Sequence, residues 1–477
     1  MNHDILCIAT DRLCNHRMKL FGGYNIFPNI DKIAKNGTVF SNAIACSAST
    51  LSCHAAEWTG KNVWELHDEL GVSYNQRNYD LPILSKKSLF TDLIEKGYDV
   101  HLVFMHKPNK YFPSSYRQII PIFNKLKVNV HGIHEWDTPE GFMVNRERHI
   151  SYCAEIIENN RKEGKKTFVW TKIAGMYQAQ DSQKNMIHLG HKYHKYADQL
   201  RITRDDVWQC AVDEAIGKVM EKFNYGKPNS TCPEIVFSSD HGAWYGERGK
   251  AYYGYDLNEE IINVPLISSF CYSKEGKKEK EGTSPITYEK PVSMKNFRHI
   301  VCGSLKEYFE EEYQYSETLF PGQVSRVRDE RYSKSKTSVR YGKYKYIYSP
   351  WWQDGTSENA TEELYDIEYD PHEKFNLADF DKEWYDCSRR QPSVACEGKS
   401  GLRYCDVMSR FHSNIEIVTQ KEDPPEAKYC VGKNKNESGS GERTGWGEIR
   451  EIRESLRVKV KQLWYNTGRK DFYREVQ

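Results

Sequence analysis

The sequence predicts an α/β fold: a mixed, mostly parallel sheet sandwiched by helices, followed by a small antiparallel subdomain. Three observations predict it. Short apolar runs alternate with helical patterns from Asp4 to Ser239. Two of those runs, the first and the last, deliver an aspartate at their C-terminal end. Beyond Phe270 the texture changes to a Lys/Glu/Gly-rich loop and then to short Tyr- and Lys-rich strands.

The elements follow in order. Asp4-Ile-Leu-Cys-Ile-Ala reads as a buried strand that ends in Thr10-Asp11-Arg12. Pro28 to Gly37 is a short helix with a glycine stop, and a second helix ends at Gly97. Tyr98–Met105 is the next strand, with His106 and Lys107 at its end. A helix over Arg148–Asn159 precedes the strand Thr167–Ile173. The clearest helix is Asp205–Phe223, where Val207/Trp208, Ala211/Val212, Ala215/Ile216 and Val219/Met220 make one apolar stripe. Pro233–Ser239 is a strand that runs into Asp240-His241-Gly242. Val264–Phe270 follows, then a helix over Lys295–Glu311, and antiparallel strands within Ser338–Tyr348 and from Glu363. A polar stretch with Cys387, Cys396, Cys405 and Cys430 leads to a closing charged helix, Trp446–Trp464. Those cysteine spacings are too wide for a C-x₂-C zinc knuckle. The expected organisation is a catalytic α/β domain over 1–320, an antiparallel subdomain over 321–385 and a polar extension over 386–477.

Composition narrows the function classes. The 477 residues carry 68 Lys+Arg against 67 Asp+Glu, so no global field favours nucleic acid or a membrane surface. No apolar run approaches the roughly 18 residues of a membrane span, and the N-terminus lacks a secretory pattern. Thirteen scattered cysteines fit a reducing compartment, so the expectation is a cytoplasmic protein. Homo-oligomerisation is left open.

The stretch Phe40–Lys61 concentrates small residues, hydroxyls and thiols in front of the helix that begins near His54. A hydroxyl there is either an ordinary N-cap or a nucleophile beside a positive dipole end, suited to a phosphate- or sulfate-like centre. Asp11, Asp240, His241 and Thr50 together make a donor set for one hard or borderline divalent ion, with Zn, Mn and Ca as the candidates. Such an ion would lower the hydroxyl pKa and polarise a non-bridging oxygen. Arg12, Lys107 and Arg248 are cations for the equatorial oxygens or else solvated loop charges. His106 is either an acid for the leaving group or a packed side chain.

Much of the chain between residues 4 and 380 resembles the sulfatase branch of the alkaline phosphatase superfamily. The residues that carry the resemblance are Pro28-Asn-Ile-Asp-Lys-Ile-Ala-Lys-Asn-Gly, Ala55-Ala-Glu-Trp-Thr-Gly-Lys, Val212-Asp-Glu-Ala-Ile-Gly-Lys-Val, Ser239-Asp-His-Gly, Gly246-Glu-Arg-Gly and Leu364-Tyr-Asp-Ile-Glu-Tyr-Asp-Pro. The resemblance implies a metal held by Asp11, Asp240, His241 and the nucleophile position. The family's C-x-P-x-R motif falls on Thr50-Leu-Ser-Cys-His54, which makes Thr50 the nucleophile and places His54 on the substrate side. Threonine is not a substrate for conversion to formylglycine. In this it resembles phosphodiesterase, phosphonate-cleaving and phosphoethanolamine-transferring relatives. Arg12 stands where the family has a second carboxylate, and Arg248 interrupts Gly-Glu-His-Gly. No second set of metal ligands follows the Thr167 strand; Asp181, His188, His191 and His194 lie further on, in a polar stretch.

The expected function is metal-dependent cleavage of a small-molecule or glycan-linked phosphoester through a covalent Thr50 intermediate. The alternatives are a phosphoryl transferase, a sulfate-ester hydrolase and a degenerate binding protein.

Overall fold

The computed structural model describes residues 3–70, 83–104, 120–132, 141–173, 204–245, 247, 250–272, 278–279, 285–303, 305, 311–318, 336–349, 361–379 and 445–466. The chain divides into two compact units, Met1–Lys336 and Thr337–Gln477.

The first unit is built on β1 (Ile5–Thr10), α1 (Pro28–Ala34), β2 (Thr38–Ile44), α2 (Thr50–Thr59), α3 (Leu89–Glu95), β3 (Tyr98–Phe104), β4 (Asn129–Gly132), α4 (Gly141–Lys162) and β5 (Lys166–Lys172). It continues with α5 (Arg204–Lys222), β6 (Glu234–Ser239), β7 (Asn263–Ser268), β8 (Ile286–Tyr288), β9 (Val292–Ser293) and α6 (Phe297–Val301). The nine strands form one sheet in the order β8-β2-β7-β6-β1-β5-β3-β4, with β9 also on β2. All pairings are parallel except those of β7, which runs antiparallel to both β2 and β6. Because the sheet is covered on both faces, its central strands are continuously buried rather than alternating with polar residues.

The period of two sorts β1 between two cores. Ile5, Cys7 and Ala9 join the core around Trp58 of α2, whereas Leu6 and Ile8 join the core with Ile157 of α4 and Ile216 of α5. In the same way Val236 of β6 and Phe168 and Trp170 of β5 belong to the α2 side. The positions that continue this parity are Asp11, Asp240 and Lys172. The register sets Ala9 beside Lys172 and Thr10 beside Ser239, so these three lie together at the C-terminal edge of the central strands.

One expected element is shorter than its sequence suggested. In the described part of the helix expected over Lys295–Glu311, a 3-10 turn at Met294–Asn296 runs into the five-residue α6. The chain leaves it through Gly303 at φ 82°, the left-handed conformation that stops helices.

The second unit holds an antiparallel ladder of β10 (Lys336–Tyr341), β11 (Tyr344–Ser349) and β12 (Thr361–Asp366), with α7 (Gly445–Asn466). Arg453 and Arg457 of α7 grip the Glu362 carboxylate of β12 at 3.0 and 2.5 Å. Burial pushes that carboxyl up, and the two guanidinium groups outweigh it and hold it below its ordinary value. Among the described residues no helix is long and apolar enough to cross a membrane.

Candidate active site

Asp11 follows β1 and Asp240 follows β6, and each is held by its own surroundings. Asp240 is fully buried, and one oxygen, Oδ1, accepts the His241 backbone N–H at 2.9 Å, which leaves Oδ2 to face inward. The Ser239 hydroxyl ties the two loops together: it accepts the Leu13 N–H at 3.1 Å and donates to the His241 carbonyl at 3.0 Å. Gln209 of α5 donates to the Asp11 carbonyl at 3.0 Å. Gly242 has to be glycine because a Cβ there would lie 2.0 Å from the Glu260 carbonyl oxygen.

His241 is oriented by its backbone. Its Nδ1 lies 2.8 Å from the Gly242 carbonyl, which can only accept, so Nδ1 carries the proton and Nε2 presents a lone pair. That Nε2 lies 3.5 Å from Asp240 Oδ2 and 3.8 Å from Asp11 Oδ1. Thr50 Oγ1 approaches the same atom at 3.2 Å and donates to it. Thr50 is the first residue of α2, and Ser49 occupies the N-cap position without a side-chain cap bond, its hydroxyl going to Ser52 instead. The Thr50 hydroxyl is therefore aimed at the imidazole and is not used as a cap.

One atom each from Asp11, Asp240 and His241 lies within 4.8 Å of the others, and all three residues are buried. These three atoms converge closely enough for one ion to reach all of them. Two carboxylates, an imidazole and a hydroxyl are suitable donors for a divalent ion, so the residues fit one.

Among the described residues, two cations border the cluster. Arg12 Nε meets Asp11 Oδ2 at 3.2 Å, and the Arg12 backbone is left-handed at φ 62°. The Tyr245 hydroxyl donates to the Arg12 carbonyl at 2.9 Å and helps hold that turn. The other cation, Lys172, is absent from the set expected from sequence. Its ammonium lies 2.6 Å from Asp240 Oδ2 and 3.5 Å from Asp11 Oδ1, and donates to the Thr10 carbonyl at 2.8 Å. A signal was available: a lysine closes an otherwise apolar strand at the edge where Asp11 and Asp240 stand.

His54 is corrected in position. It is completely buried, stacked on Trp58 and edge-on to Trp170, with Nδ1 2.8 Å from Glu57 Oε2. It lies inside the core instead of facing substrate. Burial and the nearby Lys172 charge push its pKa down to about 3, so it is neutral. Burial and the nearby Asp240 charge push the Glu57 carboxyl well up. A protonated Glu57 that donates to a neutral His54 satisfies both. His106, Lys107, Arg248, Asp181, His188, His191, His194 and the four C-terminal cysteines lie outside the described residues.

A family model described as Sulfatase matches residues 3–297. Comparison with curated proteins returns no match. Among solved structures, the fold is similar to Ps i-CgsB in complex with k-i-k-neocarrahexaose (TM-score 0.53, 16% identity, 82% of this chain and 92% of that one). It is similar to a protein in complex with its substrate D-glucosamine-2-N,6-O-disulfate (TM-score 0.51, 16% identity, 82% and 96%). It is also similar to the phosphonate monoester hydrolase of Agrobacterium radiobacter (TM-score 0.51, 14% identity, 84% and 99%).

Proposed function

Because this chain belongs to the sulfatase family, whose members are hydrolases acting on ester bonds, we propose that it cleaves a phosphoester through a covalent intermediate on Thr50. The observation that carries the reading is the 3.2 Å approach of Thr50 Oγ1 to the His241 Nε2 lone pair, at the rim of the Asp11/Asp240/His241 donor set. A threonine hydroxyl cannot become the aldehyde hydrate on which the formylglycine route depends, but it can attack phosphorus directly.

Asp11, Asp240, His241 and Thr50 would hold one divalent ion. When bound it would lower the hydroxyl pKa and polarise a non-bridging oxygen of the substrate. The chain's own residues do the rest. The helix α2 fixes Oγ1 in place, and Arg12 and Lys172 supply fixed positive charge beside the reacting group. The Oγ1–phosphorus bond forms as the bond to the leaving oxygen breaks, and the hydroxyl proton reaches the departing oxygen through solvent. Water then cleaves the phosphothreonine and restores Thr50.

A second reading, sulfate-ester hydrolysis, draws support from the sulfated sugar that one structural neighbour takes as its substrate. Turnover of an aryl phosphodiester and of the matching aryl sulfate, in wild type and Thr50→Ala, separates the two. The expected result is phosphodiester cleavage that falls by at least about 10³-fold in Thr50→Ala and is abolished by chelation. Sulfate cleavage that survives in Thr50→Ala would sink the nucleophile assignment.

A further inference from the structure

Lys172 has no role in the reading above beyond its charge, yet it is the more buried of the site's two described cations. Its side chain is 6% exposed, and it contacts one carboxylate from the end of β1, which pairs with β5, and one from the end of β6, on the far side of β1. Two carboxylates buried at close range repel each other. An ammonium 2.6 Å from one and 3.5 Å from the other relieves that repulsion before any ion arrives. Arg12 meets the other oxygen of Asp11, Oδ2, at 3.2 Å.

We propose that Lys172 is a built-in counter-charge that keeps the Asp11/Asp240/His241 cage assembled without an ion and thereby weakens the cage's hold on the ion it takes up. This rests on the metal-dependent reading and adds a consequence to it. Once Lys172 and Arg12 have offset the two carboxylates, a divalent ion enters a cage that is already close to neutral. Its affinity is lowered by the ammonium, which shares Asp240 Oδ2 with it. In exchange, the loaded cage carries net positive charge and attracts an anion. Lys172 is thus a positioning residue that trades ion affinity for anion affinity.

The test uses the full chain, Mn²⁺ as the probe ion and inorganic phosphate as the probe anion. Titration calorimetry gives the stoichiometry and affinity of Mn²⁺, and thermal unfolding is followed with and without the ion. Wild type is expected to bind one Mn²⁺. Lys172→Met is expected to bind it about tenfold or more tightly, since one full charge at contact distance is removed. The same variant should melt lower than wild type when ion-free, show a larger rise in Tm on adding Mn²⁺, and bind phosphate more weakly once loaded. Lys172→Arg should behave as wild type. A folded Lys172→Met that binds Mn²⁺ no more tightly than wild type overturns the proposal.

Should Lys172→Met fail to fold without ion, the double variant Lys172→Met/Asp240→Asn decides. It removes the ammonium and one of the charges it balances, and is expected to fold ion-free. A double variant as unstable as the single one overturns the counter-charge role. Wild type that binds no Mn²⁺, Zn²⁺ or Ca²⁺ overturns the metal reading itself, and ion uptake with it. The ion-free comparison of single and double variants then still decides the assembly role.

Discussion

Two buried groups of ionisable side chains sit one helical turn apart along α2, and they have met burial in opposite ways. At Thr50, the carboxylates of Asp11 and Asp240 remain beside the imidazole because Lys172 and Arg12 lie against them. At His54, four residues on, no ion pair with a lysine or arginine is seen among the described residues. There burial drives the Glu57 pKa up and the His54 pKa down, which favours the neutral form of each, between Trp58 and Trp170. The His54/Glu57 pair is the deeper of the two, and among the described residues it lacks the counter-charges that lie beside the Thr50 cluster. A charged cage can take an ion and an anion. The neutral pair can only pack and hydrogen-bond, which suits it to fixing the helix that presents Thr50.

The comparison breaks most severely if Glu57 proves to be charged. A protonated Glu57 donates one hydrogen bond to His54 Nδ1, and glutamine can do the same. Glu57→Gln is expected to stay within about 1 kcal/mol of wild type at pH 5. Glu57→Ala leaves the imidazole unpaired beside a cavity and should lose about 3 kcal/mol. The sign of the pH dependence adds a second arm. A carboxyl whose folded pKa is raised gives stability that is complete below its unfolded value of 4.5 and is lost as pH rises toward the folded value. Glu57→Gln should therefore gain on wild type in urea unfolding between pH 5 and pH 8. Parallel curves over that range would mean that Glu57 is ionised, and the contrast with the Thr50 cluster would fail.

A third cluster, at the sheet edge, lies between these extremes. His101 Nδ1 meets His131 Nε2 at 2.9 Å across β3 and β4, the Tyr152 hydroxyl of α4 reaches His131 Nδ1 at 3.1 Å, and Asp99 lies 3.2 Å from His101 Nε2. Burial, and then His101, push the His131 pKa down to about 4. For a base with a depressed pKa, the stability present above the unfolded value of 6.5 is lost as pH falls toward 4. His131 is partly open to solvent, so after screening the loss is about 1 kcal/mol. Urea unfolding of wild type against His131→Gln from pH 7 to pH 4.5 measures it. The glutamine variant is expected to show the shallower decline, and an equal decline would place the proton uptake elsewhere.

These contrasts also explain how much the sequence disclosed. The strands, their alternation with helices, and the edge that bears Asp11, Asp240 and His241 could be read from apolar runs ending in polar residues. Thr50 was legible as a hydroxyl at a helix start. His54 was assigned to the substrate side and Lys172 was not singled out, for one reason. Burial depends on which neighbours fill the space, here Trp170 of β5 for His54 and the Asp11/Asp240 pair for Lys172, and those neighbours come from distant strands. The extent of α6 was likewise hidden, because Gly303 can sit inside a helical pattern or stop it, and only its left-handed backbone says which.

The smallest expected effect concerns Arg12, the other counter-charge of the Thr50 cluster. Its backbone lies at φ 62°, where any side chain with a Cβ is strained and glycine is not. Replacing it by alanine removes the guanidinium from Asp11 and keeps the strain, whereas glycine removes both. Arg12→Gly should therefore be the more stable of the two by about 1 kcal/mol in urea unfolding. Both variants should bind inorganic phosphate equally less well than wild type, since charge and not backbone shape governs that affinity. If the two variants are equally stable, the turn after β1 carries no strain. If they differ in phosphate binding, the backbone shape of the turn after β1 contributes to that affinity alongside the charge.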